Sequence, residues 1–492
     1  MVLRELLPEN EITCGNAKVA VDRVTRDPLD CGGAALFCLW GKSFDPEQVI
    51  GSAIGCGARA LVTDRELPYS PIPTVTVKNA RRAYAYAYSA FCGSPQKNMR
   101  FIGITGTNGK TSTSYFLHSL LTYCGVKNAL IGTTGIIYDG EKIPFPAENS
   151  GISQMTTPDP EIFYPLLAHL CSLGVHNVVM EVSSHSLALS KLDPIEFDIG
   201  LFTNITPEHL DFHGDMEQYA VAKAKLARLS HKVVFNGDDP VLWELFKSRS
   251  PYSYGVERGM YRACCVRDKG VDGSSYLLRS DDCVLRMESS IPGDFTVINS
   301  LAAVSAAIEW GISPEVAVDA VSAVKGIPGR LERIPLDVTK YPFSVLIDYA
   351  HTPDALEKLL CCKLFKSRKG RLITLFGCGG DRDKTKRAPM GRIASDYSDT
   401  VYVTSDNSRS ESPEEIIHDI LKGIEDKRNF IAITDREQAI RLAFRQCKKD
   451  DILLLVGKGH ENYIVDRDGR RYFSEKEIVL SEAARGSKRK GK

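Results

Sequence analysis

The sequence predicts an α/β protein of three domains whose mostly parallel sheets are covered by helices on both faces. Two observations carry the fold class. Short, continuously apolar runs alternate with amphipathic helical stretches in two separate series, and the first ninety or so residues follow a looser pattern of their own. A chain of 492 residues is, besides, too long for a single core.

The elements follow in order. In residues 1–92 the strands "AALFCLW", "ARALVT" and "PTVTV" are irregular, and one segment, "DPEQVIGSAIGCGA", reads as a good helix. These form a small N-terminal α/β domain that ends before "SPQKNMR". Residues 93–329 carry "RFIGIT", "NVVMEV", "FDIGLFT" and "KVVFN", and residues 330–492 carry "FSVLIDY", "RLITLFG", "TVYVTS", "FIAIT" and "DILLLVG". Strands that are apolar throughout are buried on both faces, which is the habit of parallel sheets. The join lies near "VKGIPGRLERIP", Val324 to Pro335, where Gly and Pro break the pattern.

Composition narrows the function. Lys plus Arg equals Asp plus Glu at 62 each, which argues against coating nucleic acid or a membrane surface and favours small-molecule work. The fourteen cysteines are scattered without a Cys-x-x-Cys, so reduced thiols are expected rather than a zinc knuckle or disulfide framework. No signal peptide or membrane-spanning run is legible, and a cytoplasmic protein is expected. The basic end "GSKRKGK" is expected to be a frayed tail.

"RFIGITGTNGKTSTSYFLHSLLTYCG" runs strand, glycine turn, helix, which is the setting a phosphate loop needs. Gly106 and Gly109 let backbone N–H groups converge on phosphate oxygens. The helix starting near Lys110 adds its positive end, Lys110 adds a point charge, and Thr111 offers a hydroxyl to Mg²⁺. Ile104 stands where the commoner loop has its first glycine.

A second turn, "SDNSRS", follows the strand "TVYVT". Asp, Asn and Ser bond their own backbone after strands, so Arg409 in solvent is one reading. The other is a pocket for an amino acid: Arg409 takes a carboxylate in a two-pronged contact, and Asp406 and Asn407 hold an amine.

The string "TGTNGKTS", with "MEVSSHSL", "FTNITPEHLDFHGDMEQYAVAKAKL", "FNGDDP", "PGRLE", "DYAHTPDAL", "GCGGDRDKTKR" and "VGKGHENY", resembles the Mur ligases and folylpolyglutamate synthetases. These are ATP-dependent, amide-forming enzymes of three domains. The resemblance implies a UDP-sugar-binding N-terminal domain, a central P-loop ATPase domain, and a C-terminal Rossmann-like domain that binds the incoming amino acid.

By the same resemblance Gly106, Thr107, Asn108, Gly109, Lys110, Thr111 and Ser112 hold the phosphates of ATP, and Asn236 and Asn299 its adenine end. Arg330 and Asp348 complete the ATP set, while Thr296 stands where the family usually has Asn. Thr111, Glu181, His209 and Lys223 are implied ligands of two Mg²⁺ ions. Lys223 is implied to be carbamylated (N6-carboxylysine), which a partly buried lysine of lowered pKa can undergo as a free amine. Lys225 is the neighbouring candidate, and His213 reads as structural.

The substrate implied is UDP-N-acetylmuramoyl-L-alanyl-D-glutamate, lying along Thr156, Thr157, Ser183 and Lys191; the family usually has arginine at the last position. Members that add meso-diaminopimelate carry Asp-Asn-Pro-Arg where this chain has Asp406-Asn407-Ser408-Arg409. Arg382, Gly457 and Glu461 match the rest of that pocket. The uridine segment departs most, with Asp27-Pro28-Leu29 and "GGAALF" in place of Asp-Ser-Arg and Pro-Gly-Asp-Leu-Phe. A monomer is expected. The alternatives are a lysine-adding ligase, which Arg409 disfavours, a folylpolyglutamate synthetase, and a nucleotide-binding regulator without catalysis.

Overall fold

In the computed structural model residues 1–41, 45–67, 70–143, 156–425 and 429–489 are described, the side chains of 486–489 excepted. The chain forms two compact units, Met1–Arg262 with Leu301–Ala320, and Ala263–Ser300 with Val321–Lys492.

The first unit opens with helix α1 (Leu3–Leu6) and strands β1 (Ile12–Cys14), β2 (Arg23–Thr25) and β3 (Ala34–Phe37). Helix α2 (Pro46–Gly55), strands β4 (Ala60–Thr63) and β5 (Thr74–Val77), and helix α3 (Ala80–Phe91) complete its small sheet, ordered β1-β5-β4-β3-β2. β2 to β5 run parallel and β1 antiparallel. The sequence shows one good helical segment here where the described residues form three helices. Asn79 caps α3, its Oδ1 accepting the Arg82 N–H at 2.9 Å.

The larger sheet begins with β6 (Arg100–Thr105), α4 (Lys110–Tyr123) and the strands β7 (Asn128–Gly132), β8 (Gly135–Tyr138) and β9 (Glu141–Lys142). There follow α5 (Pro160–Ser172), β10 (Asn177–Glu181), α6 (Ser184–Ala188), β11 (Phe197–Phe202), α7 (Leu210–His213), α8 (Met216–Arg228), β12 (Ser230–Asn236), α9 (Pro240–Phe246) and β13 (Ser253–Gly255). Within this unit the order is β13-β12-β11-β6-β10-β7-β8-β9. β6 lies between β10 and β11, both parallel to it, in a register that sets Glu181 and Leu201 opposite Ile104. The carboxyl ends of three strands therefore open around the loop that follows β6, where α/β sheets bind ligands. Phe101, Phe163, Tyr164, Phe197 and Leu226 are among the residues of the core beneath it.

β14 (Tyr261–Asp268) leads into the second unit, which has the antiparallel hairpin β15 (Ser274–Arg279) and β16 (Val284–Ser289). Helices α10 (Phe295–Trp310) and α11 (Pro314–Ser322) precede β17 (Glu332–Arg333) and β18 (Ser344–Asp348). Then come α12 (Pro353–Leu360), α13 (Lys363–Lys366), β19 (Leu372–Phe376), α14 (Arg387–Tyr397), β20 (Thr400–Val403), α15 (Pro413–Leu421), β21 (Phe430–Ala432), α16 (Arg436–Gln446) and β22 (Ile452–Val456). The hairpin β23 (Tyr463–Asp466) and β24 (Gly469–Tyr472) and helix α17 (Glu475–Arg489) close the chain. The sheet order is β17-β18-β22-β19-β20-β21, parallel from β18 to β21. α17 continues four residues into the stretch expected to fray; residues 490–492 lie outside the described ones.

Candidate active site

Two side-chain clusters stand at the carboxyl ends of the two larger sheets' parallel strands. The first is built on the loop between β6 and α4. Gly106 has φ +151°, and a Cβ there would fall on Thr203 Oγ1, so the turn admits glycine alone. The loop is tied to the end of β11: Thr107 N–H donates to the Asn204 carbonyl at 2.9 Å, Asn108 N–H to Asn204 Oδ1 at 2.9 Å, and Thr203 Oγ1 to the Asn108 carbonyl at 2.6 Å. Gly109 takes a left-handed conformation at the helix N-cap, and Ser112 lies in the first turn of α4. The first amides of that helix are therefore of the kind that binds an anion.

Two lysine side chains converge on this loop. Lys110 Nζ donates to the carbonyls of Gly106 and Thr107, both at 2.8 Å, and Lys223 Nζ to that of Gly106 at 2.8 Å. Lys223, on α8, is 1% exposed. Burial pushes its pKa well below the ordinary lysine value; Lys110 adds to the shift and Glu208 opposes it. Lys225 instead donates to the Leu187 carbonyl at 3.1 Å.

Glu181, at the end of β10, is fully buried. Its carboxylate accepts from Thr111 Oγ1 at 3.1 Å, Thr133 Oγ1 at 3.0 Å and Thr133 N–H at 3.0 Å. A hydroxyl and a carboxylate in contact beside a phosphate loop are the hard oxygen donors Mg²⁺ prefers, so Thr111 and Glu181 fit one such ion. His209 lies apart in its contacts: its ring stands edge-on to His185 with centroids 4.9 Å apart, and its Nε2 is 3.8 Å from Glu208. Burial, then His209 and His213, push His185 down to about 4. His213 Nε2 pairs with Ser184 Oγ at 2.9 Å. Among the described residues no group of three His, Cys, Asp or Glu side chains is gathered as a metal centre.

The residues that the resemblance implies for the nucleotide dipeptide sit nearby. Thr157 Oγ1 donates to the Glu181 carbonyl at 2.9 Å and accepts from Ser183 N–H at 3.0 Å; Thr156 Oγ1 is 3.2 Å from Thr133 Oγ1. Ser183 Oγ caps α6. Lys191 is paired with Asp159, which also accepts from Arg26 at 2.9 Å. Burial draws the Asp159 pKa upward, but Lys191 and Arg26 outweigh it and hold the carboxyl below its ordinary range. Nothing in the sequence pattern singles out Asp159 or Arg26, although Asp159 stands in "TTPDP". Asp27 Oδ1 turns back on Leu29 N–H at 2.9 Å. Asn236 Nδ2 donates to the Thr203 carbonyl at 3.0 Å, which sets its amide beside the phosphate loop.

In the second unit Asn299 is buried within α10, and Thr296 Oγ1 donates to the Pro292 carbonyl at 2.9 Å. Asp348, at the end of β18, accepts from the N–H groups of Leu331 and Ala350, both at 2.9 Å; burial raises its pKa and Arg330 opposes the rise.

The second cluster fills the ends of β20 and β22. Asp406, Asn407 and Ser408 are buried, and Arg409 takes φ +53°. Arg409 Nη1 donates to the carbonyls of Gly380 at 2.8 Å and Asn407 at 3.3 Å. Gly457 has φ +107°, and a Cβ there would stand 3.1 Å from Asp406 Oδ2. Asn407 Nδ2 donates to Glu461 Oε2 at 3.0 Å. Arg382 is exposed at the rim. At the centre is a residue that sequence reasoning misses, Lys458, with no exposed surface; its Nζ donates to Asp406 Oδ1 at 3.2 Å, Asn407 Oδ1 at 3.2 Å and Glu461 Oε2 at 3.3 Å. Burial raises the Asp406 pKa, but Lys458 and Arg436 outweigh it and keep the group below its ordinary value.

Known proteins resemble the chain over nearly its whole length. A model of the Mur ligase middle domain matches residues 104–307, and one described as Mur ligase, glutamate ligase domain, matches residues 329–459. A UDP-N-acetylmuramoyl-L-alanyl-D-glutamate–2,6-diaminopimelate ligase 1 from Clostridium acetobutylicum is 38% identical over 475 residues, covering 95% of this chain and 96% of its own. The enzyme of the same name from Clostridioides difficile is 38% identical over 474 residues, with 94% and 95% covered. A solved structure of a ligase of that name is 29% identical, with a TM-score of 0.69 over 99% of both chains. A folylpolyglutamate synthase from Mycobacterium tuberculosis, solved with ADP and AMPPCP, shares the fold at 19% identity and a TM-score of 0.60, covering 82% of this chain and 94% of its own. On the strength of the near-full-length likeness, the chain belongs to the Mur ligase family.

Proposed function

We propose that the chain is an ATP-dependent ligase that joins meso-diaminopimelate to the D-glutamyl γ-carboxylate of UDP-N-acetylmuramoyl-L-alanyl-D-glutamate. The reaction follows from the relatives, which carry that name over nearly their whole length. The observation that carries the choice of amino acid is Arg409, whose guanidinium donates to the Gly380 and Asn407 carbonyls past the end of β20, while the Asn407 amide reaches Glu461. A carboxylate and an ammonium on one carbon match a guanidinium and a carboxylate pair. The other amine of the same molecule is then left to react.

In this reading Gly106 to Ser112 cradle the phosphates of ATP. Lys110 turns its ammonium from the loop carbonyls to the γ-phosphoryl oxygens, and Asn236, Asn299, Arg330 and Asp348 serve the rest of the nucleotide. Thr111 and Glu181 would hold Mg²⁺, which would supply neutralisation of the phosphate charge. Lys223, held as a free amine by burial, takes up CO₂ with loss of a proton to give a carbamate. That anion and His209 are the proposed ligands of a second ion. The γ-carboxylate attacks the γ-phosphorus, ADP leaves, and the amine then displaces phosphate from the acyl phosphate. Thr156, Thr157, Ser183 and Lys191 position the D-glutamyl end; Arg382, Asp406 to Arg409, Gly457 and Glu461 position diaminopimelate.

The division into residues 1–92 for the UDP-sugar, 93–329 for ATP and 330–492 for the amino acid belongs to the same proposal, as do a cytoplasmic setting and a monomeric state. It is supported by three parallel-stranded sheets, and among the described residues no helix is long and apolar enough to cross a membrane.

The test is phosphate release with ATP, Mg²⁺ and the nucleotide dipeptide, with meso-diaminopimelate or L-lysine supplied in parallel. Release with diaminopimelate, lost on Arg409→Ala, is expected. Preference for lysine would overturn the substrate, and silence with both would overturn the ligase.

A further inference from the structure

Lys458 is a cation sealed from water, an arrangement that persists only where its partners satisfy it. It has three N–H donors and spends them on three acceptors, Asp406 Oδ1, Asn407 Oδ1 and Glu461 Oε2. The Tyr463 ring lies 5.6 Å from its Nζ. Each partner is fixed in turn. Asn407 Oδ1 also accepts the Val465 N–H at 3.0 Å, so its Nδ2 faces Glu461. Asp406 Oδ1 also accepts the Asn407 N–H at 2.7 Å.

The consequence is a division of oxygens. Lys458 and Asn407 occupy one oxygen of each carboxylate. Among the described residues no hydrogen bond falls on Glu461 Oε1 or Asp406 Oδ2, nor on Nε and Nη2 of Arg409. At the carboxylate end of the pocket one cation against two carboxylates leaves a single negative charge, the amount one substrate ammonium neutralises, and Arg409 is left for the substrate carboxylate.

The geometry points to Lys458 as the positioning residue of the amino-acid site: it orients Asp406, Asn407 and Glu461 and leaves their end of the pocket the one negative charge that a single ammonium answers. The inference rests on the reading of this pocket as the diaminopimelate site. Without Lys458 the two carboxylates repel each other and Asn407 loses one of the three bonds that fix its amide.

The experiment is steady-state kinetics of the full chain and Lys458→Met, varying each substrate in turn. The expected result is a KM for diaminopimelate raised about 10- to 100-fold, as for a binding group displaced by an ångström, with KM for ATP and the nucleotide dipeptide unchanged and kcat largely kept. Lys458→Arg keeps the charge and serves if the methionine variant does not fold. A guanidinium cannot present three N–H groups from one nitrogen, so KM for diaminopimelate is still expected to rise, by about threefold to tenfold. An unchanged KM for diaminopimelate in a folded variant overturns the proposal, as does an equal loss of kcat/KM for every substrate. If the unaltered chain itself takes no diaminopimelate, the functional reading fails instead, and the two failures are told apart by that control.

Discussion

Lys223 answers two demands that oppose each other. At neutral pH the unfolded chain carries this lysine protonated near its ordinary value of 10.5, whereas the folded chain disfavours the charge, chiefly through burial. The unfolded state therefore binds more protons below pH 10.5, and this residue's destabilising contribution shrinks as pH rises toward that value. Lys223→Met is expected to abolish ligation, to raise the melting temperature at about pH 7.5, and to flatten the rise of stability with pH. Calorimetry of both proteins between about pH 7 and 9.5 checks this, and a variant less stable at every pH would contradict it.

Arg409 makes the complementary case for selectivity. Its removal should cost diaminopimelate about 10²-fold in kcat/KM and lysine far less, because lysine has no second carboxylate to lose; parallel kinetics with the two amino acids read the difference directly. Phosphate-loop residues and the Asp406 turn are legible in the sequence because their chemistry is local. Lys458 is not: its partner Asp406 lies 52 residues away, and a lysine among glycines reads as solvated until the fold encloses it. Asp159, likewise, acquires its meaning from Arg26, 133 residues earlier.

At the level of elements, the strands read from apolar runs are β3 to β6, β10 to β12 and β18 to β22, since helices on both faces leave such strands no polar side. The hairpins β15–β16 and β23–β24 escape for the opposite reason. β24 is exposed at every position and β16 at alternate ones, so their sequences carry no continuous apolar run. Helix α3, "ARRAYAYAYSAF", alternates Ala and Tyr with a strand-like period of two, and its helical state rests on the Asn79 cap and on Tyr84 and four alanines turned into the core.

One buried side chain binds elements of the second unit together. Arg436, at the start of α16, donates to the carbonyl of Ser405, just past β20, at 3.1 Å, to that of Val456, the last residue of β22, at 2.9 Å, and to Glu475 at the start of α17 at 2.9 Å. Arg436→Met should destabilise the protein by about 3–5 kcal/mol, because it strands the Glu475 carboxylate in the interior. The double variant with Glu475→Leu should recover part of the loss, and denaturant titration of the two variants gives the coupling. A single variant within about 1 kcal/mol of the parent would mean that water reaches this network.

On the scale of the molecule, equal numbers of cations and anions and a sequence pI of about 7.1 leave ligand contacts, rather than overall field, to select anionic substrates. The phosphate loop, Lys110 and Lys223 all lie in the first unit, and so do Trp40, Trp243 and Trp310, the three tryptophans of the chain. Tryptophan emission therefore follows the unfolding of the unit that holds the loop. A ligand that binds the folded state alone, at about a hundred times its Kd, adds about 2.7 kcal/mol. For a unit of this size that is a rise of about 5–10 °C in the emission midpoint with ADP and Mg²⁺. Lys110→Met should reduce the rise, and chelation of Mg²⁺ should lower it in the parent, since Thr111 and Glu181 would lose the ion they share with the phosphates. An ADP-induced rise that survives Lys110→Met in full would place the nucleotide away from the β6–α4 loop, whatever the enzyme's activity.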